Sequence, residues 1–171
     1  DVQTGGSSRG IADVAKGVAD IGMSSRALKD SEKPGRLSHT IGFDGIGFLV
    51  HESNPVSSLS DEQILGIYTG KIQNWKELGG KDRPIVCINR AEGRSELELF
   101  CDFLGVASNE LRPDLISGEN QHGIKTVAGN PDAIIYMSVG ASEFEQGRGQ
   151  PIKLLPLRGT PATSANVQDG T

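Results

Sequence analysis

The sequence is short of cysteine, of aromatic residues and of long apolar runs. Two cysteines, Cys87 and Cys101, in 171 residues form no C-x-x-C and leave no second pair, so a zinc site, a redox motif and any other cofactor are not expected. Cys87 lies in an apolar run that reads as a strand and Cys101 in a helical run. Two buried thiols account for the pair, with one disulfide as the alternative. Aromatic residues make up 5 % of the chain, and its single tryptophan, Trp75, fits a core or lobe contact better than a ligand stack. The longest apolar run, around residues 46–50, is interrupted by Gly45 and Gly47 and falls far below the ~20 residues of a membrane helix. Positive charge is also scarce. Seventeen Lys and Arg against 22 Asp and Glu leave a net charge of −5, so no global field draws the chain to nucleic acid or an anionic membrane, and any anion must be bound locally. The chain starts at Asp1, with no methionine and no basic-then-apolar leader, which fits a processed or cut product.

Glycine is plentiful: 23 of 171 residues, about 13 % against a usual ~7 %, with no G-X-Y period. Apolar residues at 36 % and charged residues at 23 % give a globular balance for one domain or two small lobes. The pattern alternates strand, glycine turn and helix. Val2 to Thr4 reads as extended; Ile11, Val14, Ala15 and Val18 follow at helical spacing, and Ala19 to Met23 returns as a strand, making a β-α-β unit. Thr40 to Val50 reads as a glycine-interrupted strand or strand pair. Ser60 with Gln63 forms a capping box that opens a helix closed by Gly70. Pro84 to Arg90 reads as a buried strand, Ser95 to Leu104 as a helix, Gly123 to Ala128 as a short helix, and Ala133 to Ser138 and Ile152 to Leu157 as strands. This alternation predicts an α/β fold with a mostly parallel sheet.

Two stretches share one design. Gly5-Gly6-Ser7-Ser8-Arg9-Gly10 and Arg90-Ala91-Glu92-Gly93-Arg94-Ser95 each run from a strand into a helix start, where free N–H groups and the helix dipole favour an anion. Hydroxyls of Ser7, Ser8 and Ser95 and the forked donors of Arg90 and Arg94 suit phosphate or carboxylate oxygens. Gly22-Met23-Ser24-Ser25-Arg26 closes the next strand and would face the same crevice. Asp44 and the Gly118 to Gly123 loop are weaker candidates. Gly6 to Gly10 also matches G-x-S-x-G, the hydrolase elbow with Ser8 as nucleophile. His39, His51 and His122 are present, but none is nominated as its base.

These residues resemble the phosphate-binding proteins of ABC importers, a family with the type II periplasmic substrate-binding fold. The likeness is carried by residues 5–10, 19–26, 67–75 and 130–138, with Asn89 to Gly93 resembling the start of the family's second anion loop. It implies two α/β lobes around a cleft, the first lobe incomplete: residues 1–80 as the partial first lobe, 81–150 as the second, and 151–171 returning toward the first. It implies phosphate, or a related tetrahedral oxyanion, held at Ser7, Ser8, Ser25, Arg90, Arg94, Ser95 and Glu96. It further implies delivery to an ABC importer permease, no catalysis, and a periplasmic or cell-surface location. A phosphate-sensing or adhesion-type protein is the alternative, and a serine hydrolase using Ser8 a third. Two departures stand out. The family's Ser-Gly-Thr is Arg94-Ser95-Glu96 here, and the aspartate that some members place at the position of Ser25 is absent, so Glu96 or Glu92 is expected to accept the phosphate proton. The incomplete lobe predicts an exposed apolar face and self-association.

Overall fold

The computed structural model describes Val2 and residues 4–170. Its centre is one five-stranded sheet of β1 (Ile46–His51), β2 (Val86–Arg90), β3 (Leu115–Ser117), β4 (Ala133–Ser138) and β5 (Ile152–Leu155), in the order β3-β2-β4-β1-β5. The helices are α1 (Ser7–Ala15), α2 (Asp61–Tyr68), α3 (Ser95–Leu104), α4 (Asn120–Gly129), α5 (Val139–Gly147) and α6 (Ser164–Asp169). From β2 onward each strand is followed by a helix and the next strand runs parallel, as crossover connections require. Only β1 reverses, pairing antiparallel with β4 on one side and β5 on the other. The sheet is therefore mixed rather than mostly parallel, and it draws strands from each of the stretches 1–80, 81–150 and 151–171.

Alternation along the strands builds a core on each face. Phe48, Val50, Cys87, Ile134, Tyr136 and Leu155 turn to one face, where α2, α3 and the one-turn helix 75–78 cover them with Ile64, Ile67, Tyr68, Leu97, Phe100 and Trp75. Leu49, Ile88, Ile135, Met137 and Ile152 turn to the other, where α4 brings Ile124 and Val127. On the first face the Phe100 and Tyr136 rings stack with centroids 4.0 Å apart. Trp75 is a core residue, 2 % exposed, and its Nε1–H donates to the Asp132 carbonyl at 2.9 Å. Ser60 caps α2 in the box its sequence announced, accepting from Gln63 N–H while the Gln63 side chain accepts from Ser60 N–H.

Both cysteines are free, as expected, Cys87 buried on β2 and Cys101 only half-buried on α3, and burial pushes both thiols up from their usual range. Other expectations need correction. Val2 and Thr4 are irregular rather than strand, and Gln3 lies outside the described residues. Ala19 to Met23 is also irregular, with Ile21 84 % and Met23 68 % exposed, so no β-α-β unit forms there. The reason is a missing ladder: a strand needs a neighbour, and no strand among the described residues pairs with this stretch, which lies against α1 instead. The approach is backbone to backbone, since a Cβ on Gly22 would lie 2.5 Å from the Gly10 carbonyl oxygen. Thr40 to Gly45 is likewise irregular, and the strand starts only at Ile46.

Candidate functional site

Three helices begin at the carboxyl end of β2, and all three begin without a side-chain cap. The positions before α1, α3 and α4 are Gly6, Arg94 and Glu119, none of which offers a side-chain acceptor to the helix start. The helices elsewhere are capped in the ordinary way, α2 by Ser60, α5 by Ser138 and α6 by Thr163. First-turn amides left without a side-chain acceptor, on several helices at once, form a place prepared for an anion.

Arg90 lies at the centre of these starts. It is the last residue of β2 and only 1 % exposed. Its Nη2 donates to Asn120 Oδ1 on α4 at 2.7 Å and to Glu96 Oε1 on α3 at 3.2 Å. Nε and Nη1 are buried with no partner. Unpaired buried donors on a cation are costly, so their retention points to an acceptor supplied from outside. The guanidinium passes the first turn of α4 where Gly123 carries no side chain, and a Cβ there would lie 3.7 Å from Nη1.

The start of α1 is locked to the loop that opens α3. Ser8 N–H donates to the Gly93 carbonyl at 3.3 Å. Gly6, at φ 82°, comes so close that a Cβ would meet the Gly93 oxygen at 2.7 Å. The two serines then diverge. Ser7 is buried, and its Oγ accepts from Ser25 N–H at 3.0 Å, which leaves its own proton to donate. Ser8 Oγ donates to Glu98 Oε1 on α3 at 3.2 Å, so its proton is already committed. The sequence therefore brings residue 25 to the site through its backbone, while the Ser25 side chain is exposed.

Carboxylates are interleaved with every cation at the site. Arg94 pairs with Glu119, and Glu96 accepts from both Arg90 and Ser95 Oγ, the latter at 3.4 Å. Arg26 grips Glu32 with Nη1 and Nη2 at 2.8 and 2.9 Å, while its Nε lies 3.0 Å from Glu98 Oε2; Lys29 Nζ is 3.1 Å from the same oxygen. The Arg26 hydrogen bonds, helped by Lys29 N–H, hold the Glu32 carboxyl down at about 2. Asp44, a weak cleft candidate from sequence, sits elsewhere: its carboxylate accepts from Ser138 Oγ, from Gly45 N–H at 2.8 Å and from Gly140 N–H at 3.2 Å at the start of α5. Glu92 is exposed, and the Arg90 side-chain hydrogen bonds go to Asn120 and Glu96 instead. Sequence reasoning singled out the Gly118 to Gly123 loop, which holds Glu119 and Asn120, only as a weaker candidate and without naming either residue; it missed Glu98, which sits among ordinary surface charges and carries no signal.

The hydrolase reading of Ser8 finds no base. Its hydroxyl partner is Glu98, while His51 Nδ1 meets Ser53 at 2.8 Å and His122 Nδ1 meets Ser117 at 3.4 Å.

A parallel run of strands with one reversed strand, and helix starts gathered around a buried arginine, define a binding protein of the type II periplasmic class. The chain belongs to that class, since the family model described as a PBP superfamily domain matches residues 1–168. Its similarities within the class are to proteins named for phosphate. It is 28 % identical to the phosphate-binding protein PstS of Bacillus subtilis (strain 168) over 99 % of this chain and 55 % of that protein. Among solved structures, a Clostridium perfringens protein described as a phosphate ABC transporter substrate-binding protein, with bound phosphate, superposes at TM-score 0.84 with 39 % identity, covering 96 % of this chain and 66 % of that one. An ABC-type phosphate transport receptor from Vibrio cholerae gives 0.74 and 32 %, covering 99 % and 69 %. The chain thus spans about half of its Bacillus relative and two thirds of these structures.

Proposed function

We propose that the chain is the phosphate-binding part of an extracytoplasmic receptor that captures phosphate, or a related tetrahedral oxyanion, and delivers it to an ABC importer permease without catalysing a reaction. One observation carries this: the uncapped starts of α3 and α4 meet at a buried arginine with two unpartnered nitrogens, and the uncapped start of α1 is locked beside them on Gly93. A tetrahedral anion would satisfy those donors together. Arg90 is the charged donor; Ser7 gives a hydroxyl proton, Ser95 exchanges its long 3.4 Å bond to Glu96 for one to the ligand, and the first-turn amides of α1 and α3 other than those of Ser8 and Leu97 complete the shell. Ser8 and Ser25 hold α1 in place through Glu98 and Ser7, and Arg94 adds a cation at the rim. Glu96 is the acceptor for the phosphate proton, since it lies beside Arg90 and no donor-only shell would favour a protonated anion over sulfate. No helix among the described residues is long and apolar enough to cross a membrane. We also attribute to the exposed apolar side chains of the N-terminal segment a tendency to self-associate.

Calorimetry with phosphate, arsenate and sulfate tests the reading. Phosphate and arsenate should bind, sulfate at least tenfold more weakly. Arg90→Lys, which keeps the charge but loses the fork, should weaken phosphate by about 10- to 100-fold, or roughly 1.4–2.8 kcal/mol. No heat from any oxyanion would sink the assignment, and equal binding of sulfate would remove Glu96 from its role.

A further inference from the structure

Glu98 joins two parts of the chain that no strand pairing connects. It lies on α3, and its carboxylate meets three groups of the N-terminal segment: Ser8 Oγ donates to Oε1 at 3.2 Å, while Arg26 Nε at 3.0 Å and Lys29 Nζ at 3.1 Å form ion pairs with Oε2, the Arg26 contact without hydrogen-bond geometry. The Arg26 side chain is 6 % exposed and that of Glu98 28 %, so this junction is screened less than a surface ion pair. Arg26 also grips Glu32 with its other two nitrogens. Its planar fork is thereby fixed between its own loop and α3. Ser8 is spent on the same junction through both its hydroxyl and its N–H, the latter on the Gly93 carbonyl.

We propose that Glu98 is a positioning residue: it fastens α1 and the loop 24–32 to α3 by charge, and so holds the Ser7 side of the site opposite Arg90 and Ser95. Ser8, on this view, is a member of the fastening and not a ligand contact. The inference rests on the phosphate reading for its ligand consequence only, because the fastening exists without any anion.

The decisive experiment is amide hydrogen exchange on this chain without phosphate, comparing wild type with Glu98→Gln at low and high sodium chloride. The glutamine keeps an acceptor for Ser8 but removes the charge that Arg26 and Lys29 meet. Exchange across residues 7–32 should rise about tenfold in the variant while β2 and β4 stay unchanged. Wild type should approach the variant's rate as salt is raised, whereas the variant, which at this junction keeps only the Arg26–Glu32 pair, should respond less. Glu98→Asp, which keeps the charge, should recover part of the protection. Unchanged exchange at 7–32, or an equal salt response in both proteins, would overturn the proposal. In a parallel titration with inorganic phosphate, Glu98→Gln should weaken binding about tenfold, and adding Ser8→Ala should cost little more because both act through one junction. Additive losses would return Ser8 to the ligand shell. If wild type gives no heat, the phosphate reading fails and the exchange experiment still decides the role of Glu98.

Discussion

Arg26 and Arg90 are both nearly buried arginines that face glutamates, yet their neighbours differ in completeness. Arg26 has its two terminal nitrogens hydrogen-bonded to Glu32, and its Nε, though without a hydrogen bond, is ion-paired with Glu98 at 3.0 Å. Arg90 keeps two nitrogens without a partner. A structural ion pair tends toward the first condition and a ligand site toward the second, which is why Arg90 leads the binding set. Glu32 makes the first condition measurable. Its carboxyl stands at about 2 in the folded chain against ~4.3 for an unperturbed glutamate. A lowered folded value means the contribution is fully present above the unfolded value and is lost as pH falls through the folded one. Between about pH 4.5 and 2, then, residues 24–32 should loosen before the sheet does. With Arg26→Gln the loosening should begin nearer pH 4.5, followed by limited proteolysis of that loop against pH. Identical acid profiles for the two proteins would contradict the assignment of the low value to Arg26. None of this was visible in the sequence, where Arg26 and Glu32 were separated charges in a polar loop. Arg90 was legible because it stood at a strand end before a glycine turn.

At the scale of elements, local signals were read well and long-range ones poorly. The box at Ser60 and Gln63, the helix Ser95–Leu104 and the strand Ala133–Ser138 were legible because each is decided by residues within a few positions of one another. The direction of β1 was not, since pattern marks a strand without saying which way its partners run. The Ala19 to Met23 stretch has the same defect: its apolar alternation is that of a strand, but a strand exists only beside another. The missing caps of α1, α3 and α4 give the helices a distinct signature. Saturating phosphate, at 100 times its dissociation constant, should stabilise the fold by about 2.7 kcal/mol. The added exchange protection should concentrate on the first turns of α1, α3 and α4 and spare those of α2, α5 and α6. Protection spread evenly over all six starts would mean that the ligand acts by general tightening rather than by meeting those amides.

For the molecule as a whole, the sheet and the N-terminal segment are made differently. The sheet buries apolar residues on both faces, whereas Val18, Ile21, Met23, Leu37, Ile41 and Phe43 of the segment are 68–96 % exposed. Exposed apolar side chains gathered in one segment favour association. Light scattering of this chain should give a mass that rises with concentration, and Ile41→Ser with Phe43→Ser should lower it. A constant monomer mass up to high concentration would refute this. The fold class was legible in the alternation of strand and helix, and the candidate anion site was proposed from two glycine turns; the reversal of β1 and the proposed fastening at Glu98 depend on contacts between distant residues.

Every cation around the candidate site is matched by a carboxylate: Arg26, Lys29, Arg90 and Arg94 against Glu32, Glu96, Glu98 and Glu119. Seen from a distance, such a place carries almost no charge, while the chain around it carries −5. On the proposed phosphate reading, capture of the anion therefore gains nothing from electrostatic steering. Adding salt should leave the association rate unchanged or slightly higher, the reverse of a receptor that attracts its ligand through an open positive field. Tight binding in such a protein must come from slow release, with donors that act only at hydrogen-bond range.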